Sequence, residues 1–120
     1  MALSRDEFFK RRRPRPKVKV QVPELGEDAE VYVTKFNARQ RNRFEEIATG
    51  GKLGGVVNLR NVSAKIVVLA CVDEDGKPLF SDADEEEIGG YDWEAVQRIV
   101  NAAFRLNGIA TNAVEEAAGK

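Results

Sequence analysis

Alternating apolar and polar positions early in the chain predict two β-strands. Valine occupies every second position of residues 17–22, which gives a strand one apolar face, and residues 30–36 alternate in the same way. The segment between them, 23–29, contains a proline and a glycine and predicts a hairpin loop. Because a two-stranded ribbon is only marginally stable alone, we expect it to pack against helices or to pair with the edge of a neighbouring subunit.

Helical spacing of apolar residues predicts two longer helices. Asn37 is a favourable N-cap for a helix over 38–49, whose apolar face includes Phe44 and Ile47. Asp92 caps the clearest helix in the chain, and Gly108 lies just past its end. The predicted apolar stripe of this second helix consists of Trp93, Val96, Val100, Ala103 and Phe104.

The apolar run at 61–72 has no decisive period, so it could form a buried helix or a buried strand. Helix formers such as Ala64 and Leu69 favour a helix that begins near Asn58. A turn at 73–76 should follow, and then an acidic helical turn at 83–88 that Ser81 or Asp82 caps.

Glycine and capping residues mark two further segments. Residues 50–55 contain four glycines and predict the most mobile loop, while residues 112–118 predict a short final helix.

With 120 residues, 42% of them hydrophobic, the chain can bury one core. The fold class predicted is α+β, with a small antiparallel β-ribbon packed against several helices.

The first 16 residues form a separate unit in this prediction. Ser4 and Glu7 have the spacing of a capping box, which indicates a short helix from Arg5 that carries Phe8 and Phe9. Prolines at positions 14 and 16 stop that helix and make residues 11–16 a stiff basic connector. We therefore divide the chain into an N-terminal arm, 1–16, and a single α+β domain, 17–120.

Charge is distributed unevenly along the chain. The net charge is -1, but residues 1–65 hold 15 Lys and Arg against 8 Asp and Glu, whereas residues 66–120 hold 4 against 12. This asymmetry favours head-to-tail self-association, in which the basic part of one copy meets the acidic part of the next. The alternative is that the two halves neutralise each other within one monomer.

Residues suited to catalysis or metal binding are scarce in the chain. There is no histidine, and the one cysteine, Cys71, lies in an apolar run and is expected to be a small buried hydrophobe. The glycines at 50–55 do not match a phosphate-binding loop, and the acidic stretch at 73–87 fails the calcium-loop pattern at its first and twelfth positions. We expect no enzymatic activity, no cofactor and no metal.

The sequence shows no membrane span or signal peptide. No apolar run reaches the roughly 18 residues of a membrane span, and arginines 11–13 stand where a signal peptide would have its apolar core, so we expect a cytoplasmic protein and no membrane partner.

The basic segment 10–17 could hold nucleic acid, but the protein is slightly acidic overall and no aromatic residue interleaves the arginines. Nucleic acid is therefore the alternative partner, and a protein partner or a plain solvated linker is favoured.

Five segments of the chain, taken in order, carry a resemblance to a known family. They are LSRDEFF at 3–9, EVYVT at 30–34, the arginine-rich helix at 39–46, VVLACVDEDGKPLFSD at 67–82 and AFRLNGI at 103–109. Their arrangement resembles that of the tail assembly chaperones of lambda-like long-tailed bacteriophages and related prophages. The resemblance implies a chaperone that coats the tape measure protein in the host cytoplasm during tail tube assembly and is absent from the finished virion. It also implies a longer form of the chaperone, made by ribosomal frameshifting, which would bind the tail tube protein.

Partner binding is predicted on the basic N-terminal half. The residues assigned to it are Phe8, Phe9, Arg11, Arg12, Arg13, Arg39 and Arg43. The two phenylalanines could anchor a neighbouring copy or the tape measure protein, or they could pack back onto their own core. A structural adaptor retained at the head-tail junction is a further alternative to the chaperone.

Overall fold

The computed structural model describes residues 2–50 and 61–109. Its helices are α1 Arg5–Lys10, α2 Ala38–Ala48, α3 Val62–Ala70, α4 Glu85–Gly89 and α5 Trp93–Leu106, and its strands are β1 Lys17–Gln21, β2 Glu30–Thr34 and β3 Cys71–Val72. The predicted α+β class is confirmed. The predicted final helix at 112–118, and the predicted loop at 50–55 beyond its first residue, lie outside the described residues.

The sheet contains one strand more than the sequence predicts. Strands β1 and β2 pair antiparallel, with Lys17 opposite Thr34 and Gln21 opposite Glu30. Strand β3 adds to the other side of β2 and gives the order β1-β2-β3. The two-stranded prediction was incomplete because two residues are too few to show an alternating pattern.

The ambiguous run at 61–72 contains both of the structures that its pattern allows. Asn61 has a left-handed φ of 57°, and α3 begins only after it, at Val62. The helix ends at Ala70, and Cys71 is already extended. Five of the nine residues of α3 are buried, because the helix packs against α2, α4 and α5. A helix covered on most sides has no polar face, which explains its missing period.

The two predicted N-caps are present. The Asn37 side chain accepts a hydrogen bond from the backbone N–H of Gln40, and the Asp92 carboxylate accepts from the N–H groups of Glu94 and Ala95. In the core, the rings of Phe44 and Phe104 meet edge to face with centroids 5.5 Å apart. The buried residues of α5 are Ala95, Val96, Ile99, Val100, Ala102, Ala103 and Phe104.

Trp93 does not belong to that buried stripe, so its assignment from the sequence was wrong. Its side chain is 69% exposed. Trp93 is the first residue of α5, and the buried part of the helix begins two residues later, at Ala95. Helical periodicity alone cannot tell where along its length a helix meets the core.

Polar contacts fix the helices to the sheet and to one another. Arg98 of α5 donates from Nε to both carboxylate oxygens of Glu24 at 2.8 Å, which ties the hairpin loop to α5. The Asn61 amide donates to Glu86 of α4 at 2.8 Å. A Cβ added at Gly89 would lie 3.0 Å from the Asn61 side-chain oxygen, so glycine permits this close approach of α4 to α3.

Candidate functional site: an exposed arm and a basic groove

The arm places its two phenylalanines in solvent. Helix α1 carries the predicted capping box between Ser4 and Glu7, but it buries no residue. Phe8 and Phe9 are 63% and 61% exposed, and their rings contact each other edge to face at 5.4 Å. In the structure, therefore, they do not pack back onto their own core.

The connector that follows α1 is held at one end of the sheet. Arg15 donates from Nε to the backbone oxygen of Lys35 at 3.0 Å, and the Lys35 N–H donates to the backbone oxygen of Pro16 at 2.9 Å. These two bonds fix the connector beside the end of β2. Arg11, Arg12 and Arg13 precede this anchor and are all exposed.

A groove of about 430 Å³ lies between α2, α3 and the segment 76–82, and we call it the basic groove. Of the described residues, four cationic side chains and one carboxylate, that of Asp82, line it. The cations are Arg15, Arg39, Arg43 and Lys65. Its apolar lining consists of Ile47, Val68, Leu69, Val72, Pro78 and Phe80.

The basic groove unites some of the residues that the sequence assigned to partner binding. Arg39 and Arg43 line it together, whereas Arg41 faces elsewhere, with its guanidinium 5.5 Å from the Phe44 ring centroid. Arg12 and Arg13 line a neighbouring cleft, and Arg15 belongs to both. The exposed side chains of the connector and of α2 thus border one continuous basic surface.

Phe8, Phe9 and Arg11 do not line this surface, and the sequence missed several residues that do. Val68 and Leu69 lie in the apolar run and look like core residues, although both are only half-buried in the groove. Lys65 was recognised as a helix former and not as a contact residue. The lone lysine inside that apolar run was the available signal, since a charge there must reach solvent.

The acidic side chains and Cys71 are the candidates for metal binding and for nucleophilic chemistry. Among residues 2–50 and 61–109, no group of three or more acidic or cysteine side chains could hold a metal ion. Burial raises the pKa of Cys71 to about 12, so its thiol stays protonated at neutral pH and is a weak nucleophile. No helix in the described part of the chain is long and apolar enough to cross a membrane.

Comparison with known proteins relates the fold to that of a solved structure. No protein-family model and no curated protein matches the chain. The fold is similar to that of the bacteriophage HK97 tail assembly chaperone, with a TM-score of 0.58 and 19% sequence identity over 83% of this chain and 88% of that one. The resemblance seen in the sequence is thus confirmed for the fold: this chain has the fold of a phage tail assembly chaperone.

Proposed function

We propose that this protein is a non-enzymatic tail assembly chaperone that binds the tape measure protein of a long-tailed phage in the host cytoplasm. The shared fold with the HK97 tail assembly chaperone, over 83% of the chain, carries the proposal. A tape measure protein presents long apolar helical faces, which aggregate unless a binder masks them. Many copies of a small binder would keep such a client soluble while tail tube subunits polymerise around it.

The basic groove is the proposed client site, because its two kinds of lining match the two faces of an amphipathic helix. Half-buried Val68, Leu69 and Phe80 offer apolar contact to the client's apolar stripe. Arg39 and Arg43 would pair with carboxylates beside that stripe. Such rim contacts contribute more to partner choice and association rate than to affinity.

The connector extends the same site. Arg12 and Arg13 lie in the cleft that shares Arg15 with the groove, so a client helix longer than the groove would continue along them. Asp75 also lines that cleft and partly neutralises it. This local pairing of unlike charges favours a protein ligand over a nucleic acid, whose phosphates would meet that carboxylate.

Co-expression with the long helical protein of the same tail gene cluster tests the proposal. The wild type should move the client into the soluble fraction, and Arg43→Glu should reduce the soluble client at least several-fold. Arg41→Glu is a matched control on the same helix: Arg43 pairs with Glu46 at 3.3 Å and Arg41 with Glu45 at 3.5 Å, so each change removes one helix ion pair.

Three results would contradict the proposal. Equal loss of client solubility in both variants would mean that general charge, and not the groove, matters. A shift of DNA by the purified protein at physiological salt would favour the nucleic-acid alternative. Recovery of the protein in purified virions would favour a head-tail adaptor.

A further inference from the structure

A second, smaller cavity opens on the surface of the domain. It has a volume of about 220 Å³ and lies between the hairpin loop, α4 and α5. We call it the acid-rimmed pocket, because Asp84 and Glu87 supply the charged side chains among the described residues that line it. The other lining residues are Leu25, Val31, Val67, Phe80, Ile88, Tyr91, Ala95, Val96 and Ile99.

Large apolar side chains are left in solvent at this pocket. Leu25 and Tyr91 line it and are 46% and 51% exposed. The ion pair between Glu24 and Arg98 holds the loop that carries Leu25 against α5. Covering them would remove this apolar surface from water without rearranging the domain.

We propose that the acid-rimmed pocket of one copy receives the Phe8–Phe9 tip of α1 from a second copy. An apolar cavity of about 150 Å³ holds one benzene ring, so 220 Å³ is room for one phenylalanine ring. The second ring, edge to face with the first at 5.4 Å, would lie at the mouth against Leu25 and Tyr91. Both rings are largely exposed in the single chain, so neither has to leave a core.

Charge selects this pocket over the basic groove. Residues 2–16 carry Arg5, Lys10, Arg11, Arg12, Arg13 and Arg15 against Asp6 and Glu7, a net charge of +4. Such an arm is repelled by the four cations of the basic groove and attracted by Asp84 and Glu87. The Glu87 carboxylate makes no hydrogen bond or ion pair with another residue of the described chain, so an arginine could approach it directly.

The positions of arm and pocket make the contact head to tail. The arm leaves the sheet where Lys17 pairs with Thr34, while the pocket contains Val31, at the opposite end of the β1–β2 ladder. A contact between two different surfaces can repeat from copy to copy, as a ring if the rotation closes and as a filament if it does not. The pocket and the basic groove share Phe80, and Arg15 of the arm lines the groove, but Arg43, the residue changed to test the client site, belongs to neither the arm nor the pocket, so the two proposals can fail separately.

Sedimentation velocity of the full chain tests the contact. The wild type should form oligomers whose mean mass falls when salt is raised from 0.15 M to about 1 M, because the Debye length shrinks from about 8 Å to about 3 Å. Phe8→Ala/Phe9→Ala and Glu87→Lys should each weaken association at least tenfold. Glu74→Lys makes the same charge change outside the pocket, on an exposed turn, and should leave the oligomers intact.

Mixing two defective variants gives the sharpest result. The Phe8→Ala/Phe9→Ala chain keeps its pocket and the Glu87→Lys chain keeps its arm, so an equimolar mixture should form 1:1 dimers and nothing larger. A monomeric wild type at high concentration, oligomers that survive the phenylalanine changes, or a mixture that stays monomeric would overturn the inference.

Discussion

Helices α1 and α5 both begin with a side-chain N-cap, but they differ in how much of their surface is buried against the rest of the domain. Ser4 and Asp92 each cap a helix with a side-chain oxygen, and an acidic residue follows in the first turn of both. Yet α5 buries seven residues and α1 buries none. Capping thus sets where a helix starts, whereas burial of an apolar face decides whether that helix contributes to the stability of the domain. We expect changes in α5 to act on folding and changes in α1 to act on association.

The largest expected effect comes from emptying the core beneath α5. Phe104 is 1% exposed and packs edge to face on Phe44. Phe104→Ala should lower the free energy of unfolding by about 3–5 kcal/mol, measured by urea denaturation with far-UV circular dichroism. Phe8→Ala, which truncates an exposed ring of α1, should change it by less than about 0.5 kcal/mol. Equal effects of the two changes would remove the distinction between the helices.

A smaller loss should follow from disconnecting the end of α5 from the sheet. The Asn107 side chain accepts from the Phe36 N–H at 2.7 Å and donates to the backbone oxygens of Thr34 and Ala103. Asn107→Ala leaves the Phe36 N–H without this partner and should cost about 1–3 kcal/mol in the same assay. Asn101→Ala, six residues earlier and within α5, removes no hydrogen bond within the described chain and should be nearly neutral. A loss at Asn101 as large as that at Asn107 would contradict this account.

The smallest expected effect comes from removing an N-cap, and it allows the caps of α5 and α1 to be compared directly. Asp92→Ala should lower the free energy of unfolding by about 1 kcal/mol, since it leaves two N–H groups of α5 without their acceptor. Ser4→Ala removes the same kind of bond but should leave the global value unchanged, because α1 can open without unfolding the domain. Hydrogen exchange should instead show faster loss of protection within Arg5–Lys10 only. A global destabilisation by Ser4→Ala would mean that α1 is part of the cooperative unit.

The contrast between local capping and tertiary packing explains which parts of the fold could be predicted from the sequence. Caps are local, so the starts of α1, α2 and α5 were predicted correctly from Ser4, Asn37 and Asp92. The third strand was missed because Cys71 and Val72 become a strand only by pairing with β2, which lies far away in the sequence. The exposure of Trp93 likewise depends on where α5 meets the core.

The candidate sites also differ in whether a single segment of the sequence reveals them or only the folded domain does. Arg39 and Arg43 were assigned from the polar face of a single helix, and the structure places both in one groove. The acid-rimmed pocket is built from the hairpin loop, β2, α3, α4 and α5, and its lining residues are separated by up to 74 positions. No periodicity within one segment can reveal such a cavity, because it exists only after those segments pack together.

The hydrogen bond between Phe36 and Asn107 also bears on when the domain can fold during synthesis. It spans 71 residues, and α5, which covers the hairpin and α3, is made after both of them. Closing so long a loop costs entropy that local hairpin and helix contacts do not. The faces of β2 and α3 that α5 covers therefore stay exposed on the nascent chain until α5 has been translated.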